Sequence, residues 1–219
     1  MEMTEKMEQK LNDGREYRSM LLEPNSEEES YMVEGYATTF NQPYHLYNTE
    51  NRKGEVVEVR EMVDPNAFAN TDMSDVIFQY DHEGRVFARQ SNDTLKVGVD
   101  EHGLKVQAYL GGTQEGRNLY EEIKGGYTNK MSFGFTVADD RFEADGNGYL
   151  RTILSVGKLY DCSAVSVPAN NFTEISSRKH CEGVITELET ERAAAEEEAR
   201  LLAEQKEILL NKLKGLRKE

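Results

Sequence analysis

The chain has 219 residues, 37% hydrophobic and 31% charged, with 41 acidic against 26 basic side chains and a formal net charge of -15. That length suits one domain of ordinary size plus an appendage, and the acidic balance argues against nucleic acid as a partner, because phosphate binding needs clustered Lys and Arg. No run of eighteen apolar residues exists and the stretch from Met1 to Asp13 is charged, so neither a membrane span nor a secretory signal core is expected.

Residues 1–14 read as a charged extension. Beyond them, short runs rich in Val, Tyr, Phe and Thr alternate with turn chemistry, which predicts strands over 33–40, 56–62, 76–80, 95–99, 104–110, 131–137, 149–156 and 159–167. Asp100-Glu101-His102-Gly103 and Asp145-Gly146-Asn147-Gly148 supply hairpin turns, since Gly, Asn and Asp accept positive φ at little cost. One helix interrupts the series: Thr113 can cap a segment whose Leu119, Tyr120 and Ile123 share a face, and Gly125-Gly126 can end it. From about Val184 the composition changes to Glu, Ala, Leu, Lys and Arg. Leu188, Ala195, Leu202, Leu209 and Leu216 recur every seven residues, which predicts a long amphipathic helix. Arg192 and Lys206 fall on alternate core positions, so a helix that packs on another surface fits better than an ideal two-stranded coiled coil, and a solvated helix fits equally well.

Asp81-His82, at the end of the apolar run Val76 to Tyr80, and Met131-Ser132-Phe133-Gly134-Phe135 offer a base and a nucleophile. A hydroxyl is a poor nucleophile at neutral pH until an imidazole takes its proton, and a third group usually orients that imidazole. Asp161, in Leu159-Tyr160-Asp161-Cys162-Ser163-Ala164-Val165, is a candidate for that group. Strand alternation puts Lys130, Ser132, Gly134 and Thr136 on one face and Met131, Phe133 and Phe135 toward a core. This fits a hydroxyl exposed in a groove, and also an ordinary strand with a polar outer face. The same alternation sets Asp161 beside Ser163 and Val165 and turns Cys162 the other way, which makes a cysteine nucleophile the poorer option. Cys162 and Cys181 show no metal-ligand or disulfide patterning and are read as reduced thiols. Asp139-Asp140 with Asp145 and Asn147 lacks the spacing and terminal glutamate of a calcium loop, so no metal is assigned.

The strings around these positions are more specific than the three residues themselves. Arg15-Glu16-Tyr17-Arg18, Val33-Glu34-Gly35-Tyr36-Ala37-Thr38-Thr39-Phe40-Asn41, Asp64-Pro65-Asn66-Ala67-Phe68, the His82 and Ser132 strings and Pro168-Ala169 occur in the order of the prohead proteases of tailed phages with HK97-type capsids, and the chain resembles that family over roughly residues 15 to 178. The resemblance implies a mostly β, α+β fold similar to the herpesvirus protease: an antiparallel β-barrel with flanking helices, here followed by the long C-terminal amphipathic helix. It implies a triad of Ser132, His82 and Asp161, the last usually glutamate in the family. It further implies a serine endopeptidase, needing no cofactor, that acts in the host cytoplasm inside the assembling procapsid and cleaves the scaffolding segment of the major capsid protein and itself. The expected division is an extension over 1–14, a protease domain over 15–180 and a docking or scaffold-like helical segment over 181–219. A homo-oligomer is allowed; nucleic acid and membrane are not expected as partners. A non-catalytic capsid scaffolding protein is the alternative from a different class, and a hydrolase using Cys162 is the second rival.

Overall fold

Gly146 and Asn147 close a two-residue hairpin, with Gly146 at φ 59° and Asp145 paired to Gly148. The strands that meet there are long: β9 (Lys130–Asp145) and β10 (Gly148–Val165). The structure is a computed structural model that describes residues 13–24, 30–166 and 173–216. The remaining strands are β1 (Arg15–Pro24), β2 (Met32–Thr39), β3 (Tyr44–Glu50), β4 (Val56–Val63), β5 (Ile77–Tyr80), β6 (Glu83–Arg89), β7 (Leu95–Val99) and β8 (Gly103–Tyr109). Helix α1 spans Gln114–Lys124 and α2 spans Thr173–Leu216.

All ten strands join one sheet in the order β3-β4-β10-β9-β1-β2-β8-β7, with β5 and β6 added on β10. The expected closed antiparallel barrel is therefore corrected to an open, curled half-barrel of mixed direction. The ends β3 and β7 do not pair with each other. The cause of the mixing is the length of β10. One edge of this strand follows β9 throughout, while its other edge is shared by two parallel partners, β4 against 149–153 and β5 against 161–164. Register shifts between Ile153 and Asp161 bend β10 between those partners, as bulges do. What reads in sequence as two strands, 149–156 and 159–167, is this single bent one; Val167 and the Pro168-Ala169 string lie outside the described residues, as do residues 1–12 of the charged extension.

Three strands were not expected from the pattern: β1, β3 and β6. In β1, Tyr17 is buried on one face while Glu16 and Arg18 are buried on the other, so alternation of apolar and polar residues does not mark it. Its charges are satisfied by ion pairs across four strands and by a hydroxyl from a fifth. Arg151 Nη1 and Nη2 on β10 donate to Glu16 at 2.7 and 2.9 Å, and Nη1 also donates to Glu61 on β4 at 2.9 Å. Arg18 Nη2 bonds Glu16 at 2.6 Å and Glu61 at 2.7 Å, Tyr44 of β3 donates to Glu61, and Arg151 reaches Asp140 of β9 at 2.7 Å. Burial alone would push the Glu16 carboxyl up, but the Arg18 and Arg151 guanidiniums outweigh it and hold it at about 2.

The helix expected after Thr113 forms as its composition dictates. Gly116 N–H donates to Thr113 Oγ1 at 3.0 Å, Leu119, Tyr120 and Ile123 are buried, and Gly126 follows at φ 76°. The C-terminal helix begins at Thr173 rather than near Val184. Ser176, Ser177 and Gly183 are weak helix formers, so composition conceals its first turns. From Glu191 to Leu209 every side chain of α2 is exposed, Leu202 and Leu209 included. The chain divides into two compact units, Met1–Arg178 and Lys179–Glu219. Among the described residues, no helix is long and apolar enough to cross a membrane.

Candidate active site

Tyr80 pairs with Glu83, so β5 and β6 are joined by a loop of only Asp81 and His82. A two-residue hairpin of this kind needs positive φ at both central positions to match the twist of its strands. Asp81 and His82 adopt it, at φ 48° and 58°. Asp and His enter the left-handed region more readily than most non-glycine residues, though still at a steric cost. The tight turn leaves no slack in the chain that carries His82.

The ring is 3% exposed and its Nδ1 is hydrogen-bonded to Asp161 Oδ1. Asp161 comes from β10, in register with Ile77 of β5 and Gly134 of β9. The same Oδ1 accepts Ser163 Oγ–H at 3.0 Å, and Ser163 is fully buried. Tyr17 of β1 packs on the other side of the imidazole, ring centroids 4.3 Å apart at 58°. Burial, and then the Asp161 charge, pushes the Tyr17 phenol well up, so this ring stays neutral beside the pair. A carboxylate accepting both a ring N–H and a hydroxyl, in so buried a setting, holds an imidazole in one orientation and one tautomer.

Gly134 makes the arrangement sterically feasible. A methyl group there would lie 2.7 Å from Asp161 Oδ2 and 2.7 Å from the Tyr17 ring. The close approach that a strand glycine signals is here made by the carboxylate and the phenol.

Ser132 lies two residues before Gly134 and is the Cα partner of Ser163. It therefore shares the face of Asp161 and is its diagonal neighbour across the ladder, a separation of about 7 Å. The hydroxyl is 0% exposed, which corrects the expectation of a serine open in a groove. Its face is polar but covered, as the burial of Tyr17, His82, Asp161 and Ser163 shows; alternation reports sidedness only where one face of a sheet is wet. Ser132 Oγ makes no hydrogen bond among the described residues. Catalytic hydrogen bonds often tighten only when substrate binds, so a Ser–His contact of this kind need not be formed in the free protein. Met131, Phe133 and Phe135 point into the hydrophobic core as expected.

Cys162 also turns into that core. Burial, and then the neighbouring Asp161 charge, pushes its thiol well up, so no thiolate is available for attack. Two further histidines lie away from this pair: His45 Nδ1 contacts Glu58 at 3.0 Å on the surface, and His102 sits in the turn after β7. Among the described residues no group of three His, Cys, Asp or Glu side chains is placed to hold a metal.

A cavity of about 350 Å³ opens beside the His82–Asp161 pair, with walls that include Arg15, Gln79, Glu83 and Tyr160. The Arg15 guanidinium stacks 3.7 Å over the Tyr160 ring, giving the mouth a fixed cation. Sequence patterns missed the parts played by Tyr17 and Ser163. Their only signals were Tyr17 within the Arg15-Glu16-Tyr17-Arg18 string and the placement of Ser163 on the face of Asp161.

No curated protein and no solved structure compared with the chain matches it. The family model described as caudovirus prohead serine protease does match, over residues 17–185, a span that contains all of β2 through β10, His82, Ser132 and Asp161. With more than half of its length so matched, the chain belongs to the caudovirus prohead serine protease family.

Proposed function

We propose that this serine protease of phage capsid maturation uses Ser132 as nucleophile, His82 as proton shuttle and Asp161 as the group that orients His82. The observation that carries the reading is the buried hydrogen bond of His82 Nδ1 to Asp161 Oδ1 on the sheet face that also presents Ser132. In this mechanism Ser132 Oγ attacks the scissile carbonyl as His82 takes its proton. The imidazolium, stabilised by Asp161, gives that proton to the leaving amine, and water then hydrolyses the acyl-enzyme by the same route. The substrate is the scaffolding segment of the major capsid protein, together with the protease itself. The reaction takes place in the host cytoplasm, inside the assembling procapsid.

The unit of catalysis is the domain over residues 15–180, and the helical segment over 181–219 docks it to the assembling shell. The buried histidine–carboxylate pair on the face that also carries Ser132 favours this reading over a non-catalytic scaffolding protein, and the raised thiol of Cys162 disfavours a cysteine hydrolase. Co-expression with the cognate capsid protein tests the proposal. Wild type should shorten the capsid protein, Ser132→Ala and His82→Ala should not, and Cys162→Ser should. Proteolysis by folded Ser132→Ala would sink the assignment.

A further inference from the structure

His82 is carried by a turn whose two residues both occupy the left-handed region, a conformation that persists only where surroundings hold it. The restraint is visible in Asp81. Its N–H donates to Ala164 O at 2.9 Å, and its carboxylate accepts the Ser166 N–H on Oδ1 and the Ser166 Oγ–H on Oδ2, both at 2.8 Å. These three bonds tie the hairpin tip to Ala164, near the end of β10, and to Ser166, just past that end; β10 is the strand that also carries Asp161. The parallel pairing of β5 with β10 stops at Tyr80 and Ala164, so the ladder itself does not extend to His82. Asp81 supplies the connection beyond that point.

We infer that Asp81 is a positioning residue, which through its clamp on Ser166 fixes the hairpin so that His82 Nδ1 meets Asp161. The inference rests on the Ser132–His82–Asp161 reading and adds a fourth side chain to it. Turn propensity alone does not account for Asp81. Glycine would enter the left-handed region without steric cost, yet it would abolish both carboxylate bonds.

The test uses the full chain with Asp81→Gly, Asp81→Asn and Ser166→Ala, and two readouts. The first is the rate at which a fluorophosphonate probe labels Ser132; this reports nucleophile activation without requiring the natural substrate. The second is the downfield proton resonance of the His82 Nδ1–H, which reports its bond to Asp161 directly. Asp81→Gly keeps the turn but loses the clamp, and is expected to slow labelling about tenfold or more and to broaden or remove the resonance. Asp81→Asn can still accept from the Ser166 N–H and tolerates the turn, so it should recover most of both. Ser166→Ala removes one bond on an exposed side chain and should slow labelling about fivefold. If Asp81→Gly does not fold, Ser166→Ala decides. Wild-type labelling and an intact resonance in Asp81→Gly, or in Ser166→Ala where that variant decides, would overturn the clamp. Absence of labelling at Ser132 in the wild type would instead overturn the triad reading and, with it, the role assigned to Asp81.

Discussion

Gly134 faces Asp161 across the β9–β10 ladder so closely that a methyl group on it would fall 2.7 Å from the carboxylate. One absent side chain thus makes room for both the acid and the Tyr17 ring that flank His82. Gly134→Ala should displace Asp161 or Tyr17 and loosen the imidazole. Cleavage of capsid protein is expected to fall by about a hundredfold, with a stability loss of about 1–3 kcal/mol from overpacking. Parallel cleavage assays and thermal melts check this; full activity would mean that Asp161 does not orient His82.

Changing the acid itself separates charge from shape. Asp161→Asn keeps the volume but cannot hold the Nδ1–H tautomer, and on the serine-protease template such a change costs about four orders of magnitude in kcat. Asp161→Glu adds one methylene against Gly134 and Tyr17, a gap with no spare room. Partial activity is expected there, because glutamate can also orient an imidazole but the packing here is built around the shorter acid. A fully active Asp161→Asn in a capsid cleavage assay would remove Asp161 from the mechanism.

Much of this was legible in the sequence, and the failures have physical causes. The Gly146-Asn147 turn, the Thr113 cap and the inward Met131, Phe133 and Phe135 follow from local rules, and the structure has each of them. Topology does not follow from local rules. Nothing in residues 148–165 tells that one long strand will take parallel partners on its second edge, because pairing is decided by distant segments. The expected exposure of Ser132 fails for a related reason: its sidedness is as the alternation predicts, but both faces of its strand are covered, so the polar face is not a wet one. In β1 the pattern is hidden because Glu16 and Arg18 are buried as ions, which only the partners on β4 and β10 make tolerable.

That buried ion network predicts acid sensitivity. Glu16 is held at about 2, below an ordinary 4.5, so ionised Glu16 contributes stability that is fully present above about pH 4.5 and is lost as pH falls toward 2. Denaturant melts taken through that window should show stability declining with acid, and Glu16→Gln, already weakened at neutral pH, should show a flatter decline. Arg151→Met leaves Glu16 and Glu61 buried without one of their cations and should cost about 3–5 kcal/mol. A pH-independent difference between wild type and Glu16→Gln would contradict this account.

The last prediction concerns the exposed face of α2. The family match stops at residue 185, and beyond it Leu201, Leu202, Ile208 and Leu209 are each about half exposed or more on a helix otherwise rich in Glu, Lys and Arg. Pairs seven residues apart fall on one side of a helix, so these four form a single apolar stripe. If the segment docks the protease to the shell, replacing Leu202 and Leu209 by Lys should reduce the protease incorporated into procapsids several-fold. The helix should persist, since Lys is as good a helix former as Leu. Cleavage of free capsid protein should be unchanged, because no residue of the site lies on this stretch. Measuring packaged protease and free-substrate cleavage side by side separates the two functions. Loss of both would make the stripe part of the catalytic fold, and loss of neither would leave it a solvated helix.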